Sequence, residues 1–288
     1  MQKANHKNVL KVHGWSQWDG AVAIVTELMR GRNLKRLLHD KNVPLHPILR
    51  LRMSRDIAEG VAFIHNFSSS KRLIHGDLKP ENILLTEDLI CKVGDFGCSR
   101  MINRTGQTTT SEAHQRKQEF TPVYAAPERL KHGCTPPKKE ADTYSYTLII
   151  HGILTRERPN EHSVSDQAYL DTIKRGERPC TNAIDDLEKS LNTVQEKEII
   201  HCLREVMTKC WQQKRDDRSD MTIINRELDD LMLKQNQSDV LRVVDQSVEK
   251  FRFFDPTKCN TGFIPLSCFQ LNIRNSSLGK PYSLIHKL

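Results

Sequence analysis

A carboxylate, an ammonium group and a carboxamide fall within six residues in the segment His75-Gly76-Asp77-Leu78-Lys79-Pro80-Glu81-Asn82. Eighteen residues after Asp77 comes Asp95, in Asp95-Phe96-Gly97. A positioned carboxylate such as Asp77 can accept a proton. Lys79 supplies a fixed positive charge, and Asn82 and Asp95 supply hard oxygen atoms of the kind Mg2+ takes. Taken alone, an Asp and an Asn five residues apart mean little, because such residues also cap turns.

Three further segments carry matching chemistry. Thr121-Pro122-Val123-Tyr124-Ala125-Ala126-Pro127-Glu128 places a hydroxyl, a phenol and a carboxylate in one run. Arg218 ends the stretch that opens with Cys210-Trp211, and Asp142-Thr143-Tyr144-Ser145-Tyr146-Thr147 opens an apolar segment. Taken alone, Asp142 reads as a helix N-cap.

In this order the segments resemble the catalytic loop, metal-binding loop, activation-segment end and C-terminal lobe of eukaryotic protein kinases. The resemblance covers roughly residues 5–235. It is nearest to the tyrosine-kinase-like group and receptor-interacting serine/threonine kinases, on Met29-x-Gly31-x-Asn33-Leu34, the Gly of His75-Gly76-Asp77 and the Cys-Trp…Arg element. It implies an α+β fold with a complete, mainly helical C-lobe and only a remnant of the β-rich N-lobe. It implies ATP and Mg2+ as cofactors, and phosphoryl transfer to Ser or Thr hydroxyls of a protein substrate. Asp77 would orient the acceptor hydroxyl and take its proton. Lys79 would sit beside the transferring group, and Asn82 and Asp95 would hold metal. His75, Phe96 and Gly97 would shape the loop around Asp95. Thr121 and Tyr124 would form the substrate platform. Glu128 would pair with Arg218 in a buried ion pair, and Asp142 would bond back to the catalytic loop. Thr26 would be the gatekeeper, the backbone of Glu27 and Met29 would meet adenine, and Leu84 would lie beneath it.

The chain departs from that pattern in two places. No GxGxxG, strand lysine or helix glutamate precedes His6-Lys7-Asn8-Val9. The expectation is an incomplete gene model or splice form, with a naturally shortened non-catalytic variant as the rival. On either, this polypeptide binds ATP weakly, and a pseudokinase or scaffold acting by protein binding is the alternative function. Gly76 stands where many of these kinases carry an Arg that meets an activation-loop phosphate. Thr108, Thr109, Thr110 and Ser111 remain candidate modification sites.

Several elements must position these groups. Residues 9–13 and 21–28 read as strands, and Ala21 to Leu28 is an apolar, β-branched run between turn signals. Without sheet neighbours they would expose edges and leave Val22 and Ile24 uncovered. A short helix is expected at 34–39. A long amphipathic one is expected at 45–67, where Leu49, Met53, Ile57, Val61 and Ile64 recur every three or four residues. Short strands are expected at 73–74, 83–85 and 91–93, a mobile loop at 100–120, and helices at 141–154, 165–175, 196–212 and 221–235. Residues 1–28 form the N-lobe remnant, 29–235 the hinge and C-lobe, and 236–288 a tail of unknown role in which Phe251, Phe253 and Phe254 could dock.

Composition narrows the classes. Of 288 residues, 37% are hydrophobic and 28% charged, which suits a globular chain with a core. The 44 Lys and Arg exceed 36 Asp and Glu by a formal +8, but no block of five or six like charges occurs and no aromatic-basic interleaving is visible. Nucleic acid is therefore not an expected partner. The eight cysteines include no CxxC pair, so reduced thiols of a cytoplasmic protein are expected rather than a zinc site. No apolar stretch approaches the ~20 residues of a membrane span. The oligomeric state is not legible.

Overall fold

The structure, a computed structural model, describes residues 5–18, 21–103, 120–130 and 136–251. Strands β1 (Val12–Trp18) and β2 (Ala21–Thr26) form an antiparallel pair, with Trp15 opposite Ile24 and Val12 opposite Thr26. Among the described residues they form a two-stranded sheet of their own. The expected first strand, 9–13, is displaced toward the C-terminus. Residues 8–10 instead lie along strand β5 (Cys91–Val93): Leu10 N donates to Val93 O at 2.8 Å and Val93 N to Asn8 O at 2.9 Å. Val9 and Leu10 are buried there, which draws them out of the hairpin. The hairpin leaves Trp15 66% and Val25 47% exposed, as expected of a two-stranded sheet with uncovered edges. Ile24 is half-buried, and the Val22 side chain lies outside what is described.

Helix α1 (Leu34–His39) is capped by Asn33, whose side chain accepts Arg36 N at 3.1 Å. Helix α2 (Pro47–His65) starts with Pro47 in its first turn and buries Leu49, Met53, Ile57, Val61 and Ile64 completely. It is the axis of the domain, packing against β5 and the later helices. Strand β3 (Lys71–Ile74) pairs with β6 (Arg100–Asn103), and β4 (Ile83–Leu85) pairs with β5. The expected loop at 100–120 thus opens with a strand; the candidate modification sites Thr108 to Ser111 lie outside the described residues.

Helix α3 (Lys139–Thr155) is buried on every side, which its apolar run Leu148, Ile149, Ile150 and Ile153 requires. Around it stand α4 (Asp166–Arg175), α5 (Asn182–Ser190), α6 (Val194–Cys210) and α7 (Met221–Leu233). Thr193 and Glu196 make a reciprocal capping box at the start of α6. Two helices were not expected. Helix α5 is short, with Ile184 as its one fully buried anchor. Helix α8 (Gln237–Lys250) lies in the segment read as a tail. It buries Val240, Val243, Val244 and Phe251, and Ser247 Oγ donates to Pro44 O at 3.2 Å. Phe253 and Phe254 lie outside the described residues. The architecture is α+β: eight helices around α2 and α3, with three small two-stranded antiparallel sheets among the described residues.

Candidate active site

The segment 75–82 leaves β3 and is held from below by α3. Asp142 Oδ2 accepts His75 N and Oδ1 accepts Gly76 N, each at 2.8 Å, and His65 Nε2 lies 2.9 Å from Oδ2. Asp142 sits in the first turn of α3 rather than at its N-cap, and is 1% exposed. Burial alone would raise its pKa. The hydrogen bond with His65, the electrostatic influence of His65 and His75, and the Gly76 N–H outweigh burial and hold it below the usual carboxylate range. One buried carboxylate thus fixes two successive backbone amides of the loop. Gly76 has φ +80°, and a Cβ there would stand 3.2 Å from Cys98 O, so the turn takes glycine.

That turn presents Asp77. Its Oδ1 accepts Thr121 N at 2.8 Å and its Oδ2 accepts Lys79 Nζ at 2.7 Å. Lys79 Nζ also donates to Thr121 Oγ1 at 2.7 Å, closing a ring of three residues from two distant segments. Asn82, in the 3₁₀ turn Pro80–Asn82, donates through Nδ2 to Asp77 O at 2.8 Å. That bond assigns the amide orientation and keeps the Asn82 Oδ1 free of the role of holding the loop.

The Asp95 turn is tied to the same loop. Gly94 N donates to Asn82 O at 2.9 Å, and His75 Nε2 lies 2.8 Å from Gly94 O. The His75 and Phe96 rings meet at 5.1 Å. Asp95 is left-handed, φ 54°, and its Oδ1 accepts Gly97 N at 3.2 Å. A non-glycine residue in this region costs energy and marks a position fixed by its surroundings. Asn82 and Asp95 together offer one amide oxygen and one carboxylate. That set suits Mg2+, which takes one or two protein oxygens and completes its shell with phosphate and water.

The platform residues lie across from this loop. Tyr124 is buried, and its carbonyl accepts Ser145 Oγ at 2.8 Å. Burial pushes its hydroxyl pKa up, helped by Glu81, against Arg158. Arg218 makes a bidentate pair with Glu128, 2.9 and 2.8 Å, and also donates to Gln212 O and Glu140 O. The Arg218 side chain is fully buried and stacks 5.1 Å from the Tyr144 ring, whereas that of Glu128 is 25% exposed. The pair expected from the sequence forms, but only its cation is fully buried.

The hinge residues are placed less uniformly. Thr26 Oγ1 donates to Glu27 O at 3.2 Å, so one lone pair of the carbonyl expected to face adenine is shared. The Glu27 carboxylate bonds Lys92 Nζ at 2.9 Å and Lys11 N at 2.8 Å. Met29 O accepts Arg32 N at 3.1 Å, and Leu84 is buried beside Gly94.

Sequence reasoning missed His65, which completes the Asp142 cluster, and Arg129, which donates through Nη1 to Gly76 O. Neither belongs to a spacing pattern that names a partner. His65 is the last residue of α2, and its partner is 77 positions away.

With the geometry in place, comparison with known proteins bears on it directly. The family model described as protein tyrosine and serine/threonine kinase matches residues 1–228. Dual specificity protein kinase shkC of Dictyostelium discoideum is 29% identical over 83% of this chain and 43% of its own length. Human receptor-interacting serine/threonine-protein kinase 1 is 28% identical over 83% of this chain and 34% of its own. Mouse protein-tyrosine kinase 6 is 32% identical over 62% of this chain and 38% of its own. The chain therefore spans between a third and a half of the length of these relatives. Matched along most of its length by the family model, and with the loops of that family folded together as described, the chain belongs to the protein tyrosine and serine/threonine kinase family.

Proposed function

We propose that the chain is the hinge and C-lobe (residues 29–235), with an N-lobe remnant (1–28) and a tail (236–288), of a kinase transferring phosphate from Mg·ATP to Ser or Thr of cytoplasmic proteins. The ring of Asp77, Lys79 and Thr121 carries this reading. ATP with Mg2+ supplies an electrophilic phosphoryl group with its charge partly neutralised. Asp77 then orients the acceptor hydroxyl and takes its proton. Lys79 keeps a positive charge against both Asp77 and the developing charge on the transferred group. Asn82 and Asp95 hold metal through their oxygens, with His75, Phe96 and Gly97 supporting the Asp95 turn.

Acceptor choice follows from the residues beside the base. Thr121 N touches Asp77 directly and Thr121 Oγ1 touches Lys79, so the approach to the base is short. Lys79 and Thr121 at these positions favour Ser and Thr hydroxyls over Tyr as acceptors. Thr26, Glu27, Met29 and Leu84 would bound the adenine. Radiolabelled phosphate transfer from ATP to peptide pools containing only Ser, only Thr or only Tyr tests the assignment. Weak transfer to Ser and Thr pools, abolished in Asp77→Asn and Asp95→Ala, is expected. Equal activity in Asp77→Asn, or preference for Tyr, would refute the roles given.

The second reading, a scaffold, rests on the exposed Trp15, Val25 and Leu28. Thermal-shift titration with Mg·ATP separates the two. No shift, with no transfer, favours the scaffold.

A further inference from the structure

Gly76 cannot carry a side chain without strain, since its φ is +80° and a Cβ would crowd Cys98 O at 3.2 Å and Pro137 Cγ at 3.4 Å. Positive charge nevertheless reaches this residue, from the opposite direction. Arg129 is 6% exposed and its Nη1 donates to the Gly76 carbonyl. The same guanidinium lies over the Phe120 ring, 4.1 Å from its centroid. Phe120 adjoins Thr121, whose N–H bonds Asp77, and Gly76 adjoins Asp77 itself. Arg129 also adjoins Glu128, which Arg218 anchors to the core. The guanidinium thus touches both segments of chain that meet at Asp77, and the bidentate Glu128–Arg218 pair next to it anchors its backbone.

We propose that Arg129 is a positioning residue that clamps the segment carrying Thr121 to the loop carrying Asp77, so that the platform stands assembled without any phosphate group on the chain. The inference rests on the proposed kinase reading for the meaning of the platform, but its geometry does not. A bidentate-capable, planar cation suits the task. It bonds a carbonyl with its edge and stacks on a ring with its face, which a flexible ammonium does less well. Because the Arg129 donor is buried, its bond to Gly76 O is little screened by salt.

Hydrogen exchange measured on peptides spanning 74–80 and 120–126 tests this without requiring activity. In Arg129→Ala both peptides should exchange about tenfold faster, while α6 and α7 keep wild-type rates. Arg129→Lys, which retains a donor for Gly76 O but not the stacking plane, should restore part of the protection. Arg129→Met, which retains only the stem, should restore none. Phosphatase treatment of the wild type should leave both peptides unchanged. Unchanged exchange in Arg129→Ala overturns the clamp, as does acceleration spread evenly over the domain or loss of protection on dephosphorylation. Should Arg129→Ala fail to fold, Phe120→Ala removes the stacking face alone, and local acceleration of the same two peptides is then required. Phosphate transfer to a Ser peptide is measured in parallel. Its absence defeats the kinase reading and leaves the exchange result standing.

Discussion

Glu128→Ala is the perturbation whose cost is best bounded by the structure. It strips Arg218, whose side chain has no exposed surface, of two charge-assisted bonds at 2.9 and 2.8 Å. Exposed ion pairs contribute ~0.2–1 kcal/mol. Leaving one member of a buried pair alone costs ~3–5 kcal/mol. This pair lies between those limits. Glu128 is partly hydrated, and Arg218 keeps the Gln212 and Glu140 carbonyls and the Tyr144 ring. We expect Glu128→Ala to destabilise the domain by about 2–3 kcal/mol, set by the stranded guanidinium. At about 2–4 °C per kcal/mol for a domain of this size, the melting temperature falls by roughly 4–12 °C. Arg218→Ala should cost at least as much, because two partly buried carbonyls, of Gln212 and Glu140, also lose their donor. Urea unfolding of both single variants and of the double variant gives the coupling, expected at about 2 kcal/mol. Additivity within about 0.5 kcal/mol, or a cost below about 1 kcal/mol for Glu128→Ala, would show that the pair behaves as an exposed one and that the burial argument is wrong.

Three other outcomes are expected. Burial pushes the Asp56 carboxyl up to about 6, against Arg52 and the Cys91 N–H, so the folded state holds a proton there that the unfolded chain releases near pH 4. This contribution is complete below pH 4 and lost as pH rises through 6. Between pH 4 and 6.5 Asp56→Asn should therefore gain about 2–3 kcal/mol relative to wild type in urea unfolding, and parallel pH profiles would contradict it. Gly60→Ala would put a Cβ 2.4 Å from Asn8 O, so the strap 8–10 must lift. Faster exchange at Leu10 and Val93, with a loss of about 1–3 kcal/mol, is expected, and wild-type protection there would refute the close approach. Native-state alkylation with iodoacetamide should spare Cys91 and Cys210, both buried, with the Cys210 thiol pushed up to about 12 chiefly by burial. Their labelling at the rate of the half-buried Cys98 would show that this core opens readily.

The chemistry-bearing residues were legible because each occupies a fixed offset within a short segment. Asp77, Lys79 and Asn82 lie within six residues, and their loop geometry is local. The long helix α2 was equally plain, since its buried residues repeat with the helical period. Where the sequence misled, longer-range forces decided. Val9 and Leu10 have strand character, but burying them against β5 outweighs extending the hairpin. Helix α8 is short and polar on its exposed face, so its amphipathic stripe gains meaning only once the α2 end offers a surface to cover.

By itself the sequence determined which groups are available: a base, a cation, two hard oxygens, and the periodicity that makes the supporting helices. Only the tertiary structure decided that Lys79 bridges Asp77 and Thr121, that His65 completes the Asp142 cluster, and that Arg129 reaches Gly76. The physical reason is that a hydrogen bond between residues tens of positions apart leaves no periodic trace in the chain. It exists because folding carries distant segments to within hydrogen-bond reach of each other, where an unpaired buried polar group would be costly.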